Sequence, residues 1–286
     1  MDEPVVRVVT DSSCDLSPEE LAALEIEVAP LVVRFGTEVY RDGELTVEEF
    51  WEKAASPYPP QTSQPPLGVF EEIFEQLVAR GAQVLCLTIT GKHSGTFNAA
   101  RLAAQRFGEA VKIFDSLSLS LGLGAQVLAA AQAARAGHSM QEILDLLGDM
   151  RARMRLTILL DTLDNLRRGG RADGFIALAN RMTQVLNIKV LVNLEEGQLR
   201  LGGAVRSFKR GLQRIIELVE KMGPLEQLAV LHTRCQEIAE EMADRLAERL
   251  GFPRERICVR ETGAVLSAHA GPGVIGVLVL PTSYEL

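Results

Sequence analysis

Short apolar runs alternate with longer stretches in which apolar positions recur every three or four residues, and these two periods organise the first half of the chain. Val5 to Thr10, Ile26 to Phe35, Gln83 to Thr90 and Val111 to Phe114 predict strands. Helices are expected to begin at Ser17 and Thr46, where S-P-E-E and T-V-E-E set a hydroxyl ahead of first-turn acids. Further helical patterns run from about Leu67 to Arg80, Thr96 to Phe107, Leu123 to Ala136 and Ser139 to Met154. Strands separated by helices imply a parallel sheet covered on both faces.

After Arg155 the pattern changes. Leu156 to Leu160 predicts a strand, and Ile188 to Leu194 followed by Glu195-Glu196-Gly197 and Gln198 to Leu201 predicts a hairpin. Helices near Phe208 to Lys221 and Gln236 to Leu250 then flank strands near Gln227 to His232 and Arg256 to Arg260, with Val274 to Leu280 as the last strand. The expected fold class is α/β in two lobes: an N-terminal parallel-sheet lobe over residues 1–155 and a C-terminal mixed-sheet lobe over residues 156–286. Their boundary is placed to within about ten residues.

Composition narrows what such a protein does. Aromatic residues are 5% of the 286, so aliphatic side chains must do most of the packing. A formal charge of −8 argues against broad nucleic-acid binding, which needs surplus Lys and Arg. Cys14, Cys86, Cys235 and Cys258 lie far apart with no C-x-x-C pair, and the opening MDEPVVRVVT lacks the basic and apolar regions of a secretory signal, so reduced thiols in a cytoplasmic protein are expected. Cys86 and Cys258, each inside an apolar run, are expected as buried small hydrophobes. No apolar stretch approaches the roughly 18 residues of a membrane span.

Five segments could carry chemistry. Thr10-Asp11-Ser12-Ser13-Cys14-Asp15 ends the first strand, where an open α/β sheet usually binds ligands, although the same residues also suit a self-capped turn. Gln61-Thr62-Ser63-Gln64-Pro65-Pro66 is expected as a loop stiffened by its prolines, holding two hydroxyls outward or serving as a rigid connector. His93-Ser94-Gly95-Thr96 follows a strand and opens a helix, where N–H groups and hydroxyls suit a carboxylate or phosphate, or simply cap the helix. Arg167-Arg168-Gly169-Gly170-Arg171 sets three guanidinium groups around two glycines, suited to an anion, to a partner's acidic surface, or to solvent. His269-Ala270-Gly271-Pro272-Gly273-Val274-Ile275-Gly276 contains a formal G-x-G-x-x-G, but it precedes an apolar strand near the end of the sequence instead of opening a helix in a βαβ unit. No histidine has metal-ligand spacing with Cys or with a second His.

In order, T-D-S-S at Thr10, T-S-Q-P-P at Thr62, S-G-T at Ser94, D-S at Asp115, L-R-R-G-G-R at Leu166 and H-A-G-P-G at His269 resemble the DegV family across almost the whole chain. The resemblance implies a two-lobed, non-catalytic protein with a long-chain, palmitate-like fatty acid between the lobes. It further implies that the carboxylate is presented to the catalytic subunit of a bacterial fatty acid kinase that serves phospholipid synthesis, with no cofactor, no metal, no nucleic acid and a transient membrane contact for lipid exchange. On that resemblance the carboxylate-binding residues fall on Thr62, Ser94 and His269. Ser63, Gly95, Thr96, Asp11 and Ser12 are expected to support the pocket, and Arg167, Arg168 or Arg171 to meet the partner or an anion.

Two other classes compete. A serine hydrolase could use Ser94, His269 and an acid such as Asp11, yet Gly91-Lys92-His93-Ser94-Gly95 sets the serine one place later than the G-x-S-x-G elbow requires. A phosphate-ester or nucleotide binder could use Ser94-Gly95-Thr96 and the arginines, yet the chain has no G-x-x-x-x-G-K-[ST] loop.

Overall fold

The computed structural model describes residues 5–169 and 188–283, which divide into two units. The first comprises Met1–Ala152 together with Gly263–Val265, and the second comprises Arg153–Thr262 and Leu266–Leu286.

Four parallel strands centre the first unit, in the order β2-β1-β6-β7: β1 is Val6–Asp11, β2 Glu27–Ala29, β6 Gln83–Thr88 and β7 Val111–Asp115. Alternation along each strand sends Val9, Val84 and Cys86 to one face. There they pack with Phe70 and Phe74 of α3 (Leu67–Ala79) and with Ala99, Ala100 and Ala103 of α4 (Thr96–Ala104). Each of those two phenyl rings is fully buried, a contribution of about 2–3 kcal/mol apiece. α5 (Leu121–Arg135) packs on β1 and β6, and α6 (Met140–Arg153) buries Ile143, Leu147 and Met150. α1 (Pro18–Ala23) and α2 (Val47–Ala54) start on the expected capping boxes, with Ser17 and Thr46 each accepting from the third helical N–H while the third-position Glu reaches back.

The apolar stretch Ile26 to Phe35 is two strands instead of one. Pro30 brings no N–H to a ladder, so β2 ends at Ala29 and β3 (Val32–Phe35) joins a different, three-stranded antiparallel sheet with β4 (Glu38–Arg41) and β5 (Gln61–Ser63). The expected stiff loop at Thr62 is therefore a short strand, with Thr62 opposite Val33. Phe35 meets Phe50 of α2 edge to face, ring centroids 5.9 Å apart, and so fastens this small sheet to its helix.

The second unit holds a six-stranded mixed sheet ordered β10-β9-β8-β13-β11-β12, in which only β11 and β12 are parallel. These are β8 Arg155–Leu160, the hairpin β9 Lys189–Glu195 and β10 Gln198–Val205, β11 Leu225–Thr233, β12 Cys258–Glu261 and β13 Val274–Pro281. One face carries Leu159, Val230 and Val277 against Ile215 and Ile216 of α8 (Phe208–Glu220) and Met242 and Leu246 of α9 (Gln236–Leu250). The pleat then turns Leu156, Ile158, Leu278 and Leu280 to the opposite face, where all four are also buried. Cys86 is a fully buried core residue as expected, whereas Cys258 is only half-buried, because β12 is the edge strand. The described residues also include two short α-helices that the periodicity does not reveal, α7 (Asp164–Gly169) and α10 (Ala264–Ala270).

Candidate functional site

At the carboxyl edge of the parallel sheet, Asp11 is fully buried and both its oxygens are engaged. Oδ1 accepts from Ser13 N–H at 3.0 Å and from the Ser13 hydroxyl, and Oδ2 accepts from Ile89 N–H at 2.7 Å. Burial pushes its pKa up to about 6 despite these bonds. The Ser12 hydroxyl donates to Asp42 Oδ2 at 2.8 Å and accepts from Leu31 N–H at 3.0 Å. In their internal bonds, Asp11 and Ser12 work as structural ties between β1, the residues after β6 and the start of the small sheet.

The loop from β6 to α4 is held from behind. Asp115, ending β7, accepts from Gly91 N–H at 3.2 Å and from Leu117 N–H at 3.0 Å. Thr90 N–H donates to the Ser118 carbonyl at 2.9 Å. Ahead of this brace, Ser94 Oγ lies 2.7 Å from Thr96 Oγ1 and accepts from Thr96 N–H at 3.2 Å. Ser94 is half-buried, Gly95 exposed and Thr96 buried, so the serine faces outward over a threonine that backs it.

Gln64 brings the Thr62 segment to this place. Its amide crosses Gly95 so closely that a Cβ at position 95 would fall 1.8 Å from Gln64 Oε1. Within the first unit, then, the T-S-Q-P segment and the S-G-T segment meet, with Thr62 half-buried and Ser63 exposed.

In the second unit, half-buried His269 is the sixth residue of the seven-residue α10. The turn that follows is fixed by Thr233, whose hydroxyl donates to the Gly271 carbonyl at 2.5 Å and accepts from Val274 N–H at 2.9 Å. Gly271 has φ +77°, and a Cβ there would lie 1.8 Å from Asn165 Nδ2, so α7 and the H-A-G-P-G turn meet as well. Arg167 and Arg168 are exposed on α7, with Arg167 3.3 Å from Asp164, while Arg171 lies outside the described residues. His232 is buried on β11 and burial holds its pKa below the usual histidine range, which marks it as a core side chain. Burial likewise pushes the Cys14 thiol up to about 12 and that of Cys235 up to about 11, so neither is primed as a nucleophile. Among the described residues no cluster of three or more His, Cys, Asp or Glu could hold a metal ion, and no helix is long and apolar enough to cross a membrane.

Asn165 and Asp42 escape a motif-by-motif reading of the sequence, while Gln64 and Asp15 stand inside segments singled out there without a role of their own. Gln64 and Asn165 each stand within two residues of a singled-out position, and that adjacency was the available signal. Asp42, in the R-D-G-E turn, offers none.

A family model described as "Uncharacterised protein, DegV family" matches residues 5–282. A DegV domain-containing protein of Deinococcus radiodurans is 38% identical over 283 residues, 97% of this chain and 99% of that one. Among solved structures, the chain is similar to a DegV family protein of Thermus thermophilus described by its fatty acid binding, at 30% identity and TM-score 0.86 over 97% of this chain and 99% of that one. It is also similar to a stearic acid-binding protein of Eubacterium ventriosum, at 26% identity and TM-score 0.85 over 96% and 98%.

Proposed function

Because the chain belongs to the DegV family, we propose that it binds one long-chain fatty acid and presents the carboxylate to the catalytic subunit of a fatty acid kinase in the cytoplasm, without performing chemistry itself. The observation that carries the fatty acid is the full-length likeness to the fatty-acid-binding protein of Thermus thermophilus. The kinase rests on the resemblance of the motifs.

The chemistry of the loops supports this reading. A carboxylate leaving water needs hydrogen-bond donors or a counter-charge. Thr96 can give both its N–H and its hydroxyl hydrogen to Ser94 Oγ, which leaves the Ser94 hydrogen to point outward at an anion near the start of α4. On the resemblance, Thr62 would add a hydroxyl and His269 an imidazole, Ser63 and Gly95 would support the pocket, and Arg167, Arg168 or Arg171 would meet the partner or an anion. The tail needs a dry aliphatic wall, and the face of the mixed sheet bearing Leu156, Ile158, Leu278 and Leu280 has that character. Burying roughly 14 methylenes at about 0.8 kcal/mol each would contribute on the order of 11 kcal/mol before ordering costs, so the tail sets affinity and the head group sets orientation.

Hydrolase chemistry finds little support. Asp11 has both oxygens engaged by Ser13 and Ile89, and Ser94 is bonded to Thr96. Mass spectrometry of solvent-extracted protein should release a C16 to C18 fatty acid. A bound nucleotide in its place would favour a phosphate-binding role, and stoichiometric labelling of Ser94 by a fluorophosphonate would favour hydrolysis. With ATP, magnesium and palmitate but no partner, no acyl phosphate should form. Ser94→Ala and His269→Ala should each lose palmitate retention while remaining folded. Unchanged retention in both would remove these residues from the head-group site.

A further inference from the structure

Two carboxylates are spent on one short stretch of backbone. Asp15 Oδ1 accepts from Gly263 N–H at 2.9 Å, and Asp42 Oδ1 accepts from Val265 N–H at 3.4 Å, with Ala264 N–H also donating to Asp42. All of these residues belong to the first unit. The three consecutive amides open α10, and the first N–H groups of a helix have no acceptor within it. Most helices solve this with a Ser, Thr, Asp or Asn immediately before the first turn. Here Gly263 stands in that place, and the nearest hydroxyl, on Thr262, is 3.0 Å from Ser267 Oγ. The acceptors come instead from positions 248 and 223 residues away in sequence.

Each carboxylate is itself held. The Ser120 hydroxyl donates to Asp15 Oδ2, and the Ser120 backbone has φ +51°. The Ser12 hydroxyl donates to Asp42 Oδ2 at 2.8 Å. Asp15 is 8% exposed, and burial holds the Asp42 carboxyl above the usual range, so neither position is a favourable one for a charge unless its bonds repay it.

We infer that Asp15 and Asp42 are positioning residues for His269: they fix the amino end of the seven-residue helix whose sixth residue carries the imidazole. The inference rests on His269 serving the head group, as proposed above, and assigns neither aspartate a contact with ligand. It also gives the T-D-S-S-C-D segment a task, because Ser12 and Asp15 support this clamp.

The test compares the full-length wild type with Asp42→Ala and with the double variant Asp15→Asn/Asp42→Asn, which keeps an oxygen acceptor at each position and loses both charges. Three quantities are read: hydrogen exchange of amides 263–270, the imidazole resonances of His269 assigned through His269→Gln, and the Kd for palmitate after delipidation. Asp42→Ala should speed exchange in that segment about five-fold, the size expected for a lost helix cap, move the His269 resonances and weaken palmitate by a similar factor. The double variant should show the same changes at roughly half the logarithmic size, since a neutral acceptor is about half as strong. If neither variant alters exchange or the His269 resonances, the positioning role is overturned, and the double variant alone decides this should Asp42→Ala not fold. If the resonances move as expected but wild-type protein does not bind palmitate, the positioning stands and the fatty-acid reading falls.

Discussion

Asn165 lies across Gly271 at a distance that leaves no room for a side chain: a Cβ at position 271 would sit 1.8 Å from Asn165 Nδ2, and the backbone there has φ +77°. Two separable constraints thus act on one glycine, a steric one from α7 and a conformational one from the turn.

Gly271→Ala should destabilise the protein by about 1–2 kcal/mol from backbone strain alone, with a further loss from displacing Asn165. Adding Asn165→Ala should recover only the second part. Urea denaturation of the two single variants and the double variant measures this directly. Full recovery in the double variant would show that the turn tolerates a side chain and that only the Asn165 contact matters.

Gly95→Ala should behave differently. Its φ is −75°, which any residue adopts, and the atom it meets is the exposed end of the Gln64 side chain, which can swing away. Stability should change by less than about 1 kcal/mol, while palmitate affinity falls about ten-fold, the cost of one hydrogen bond to a charged group. Wild-type affinity in this variant would remove Gln64 and Gly95 from the head-group region.

Asp11 should set a pH dependence. Its folded pKa of about 6 exceeds the ordinary value of 3.8, so the folded state binds the proton more tightly than the unfolded one. The buried charge therefore disfavours folding above about pH 6, and stability attributable to this residue rises as pH falls toward 3.8. Relative to Asp11→Asn, which cannot titrate, the wild type should gain about 1 kcal/mol between pH 7 and pH 5, read as the difference between their denaturation midpoints. A difference that stays constant over that interval would mean that Asp11 is not the titrating group.

Much of the architecture was legible in the chain. The capping boxes at Ser17 and Thr46, the parallel ladder of Val5 to Thr10 with Gln83 to Thr90 and Val111 to Phe114, and the hairpin around Glu196-Gly197 all follow from short-range pattern, because periodicity reports which face of a local element is buried. What failed was also local in origin. Ile26 to Phe35 looks continuous by hydrophobicity, but Pro30 splits it, and Gln61–Ser63 is too short and polar to announce itself as an edge strand. Helix α10 has no capping residue of its own, so nothing in its sequence marks its start.

The sequence by itself determined the types of the longer elements, the aliphatic cores and the family, since each depends on residue identity and near-neighbour spacing. Only the tertiary structure decided that Gln64 reaches Gly95, that Asn165 reaches Gly271, and that Asp15 and Asp42 cap a helix from 248 and 223 residues away. The physical reason is that strand order in a sheet chooses which loops share an edge, and that order minimises the free energy of the whole packed unit, a quantity no local window of sequence contains.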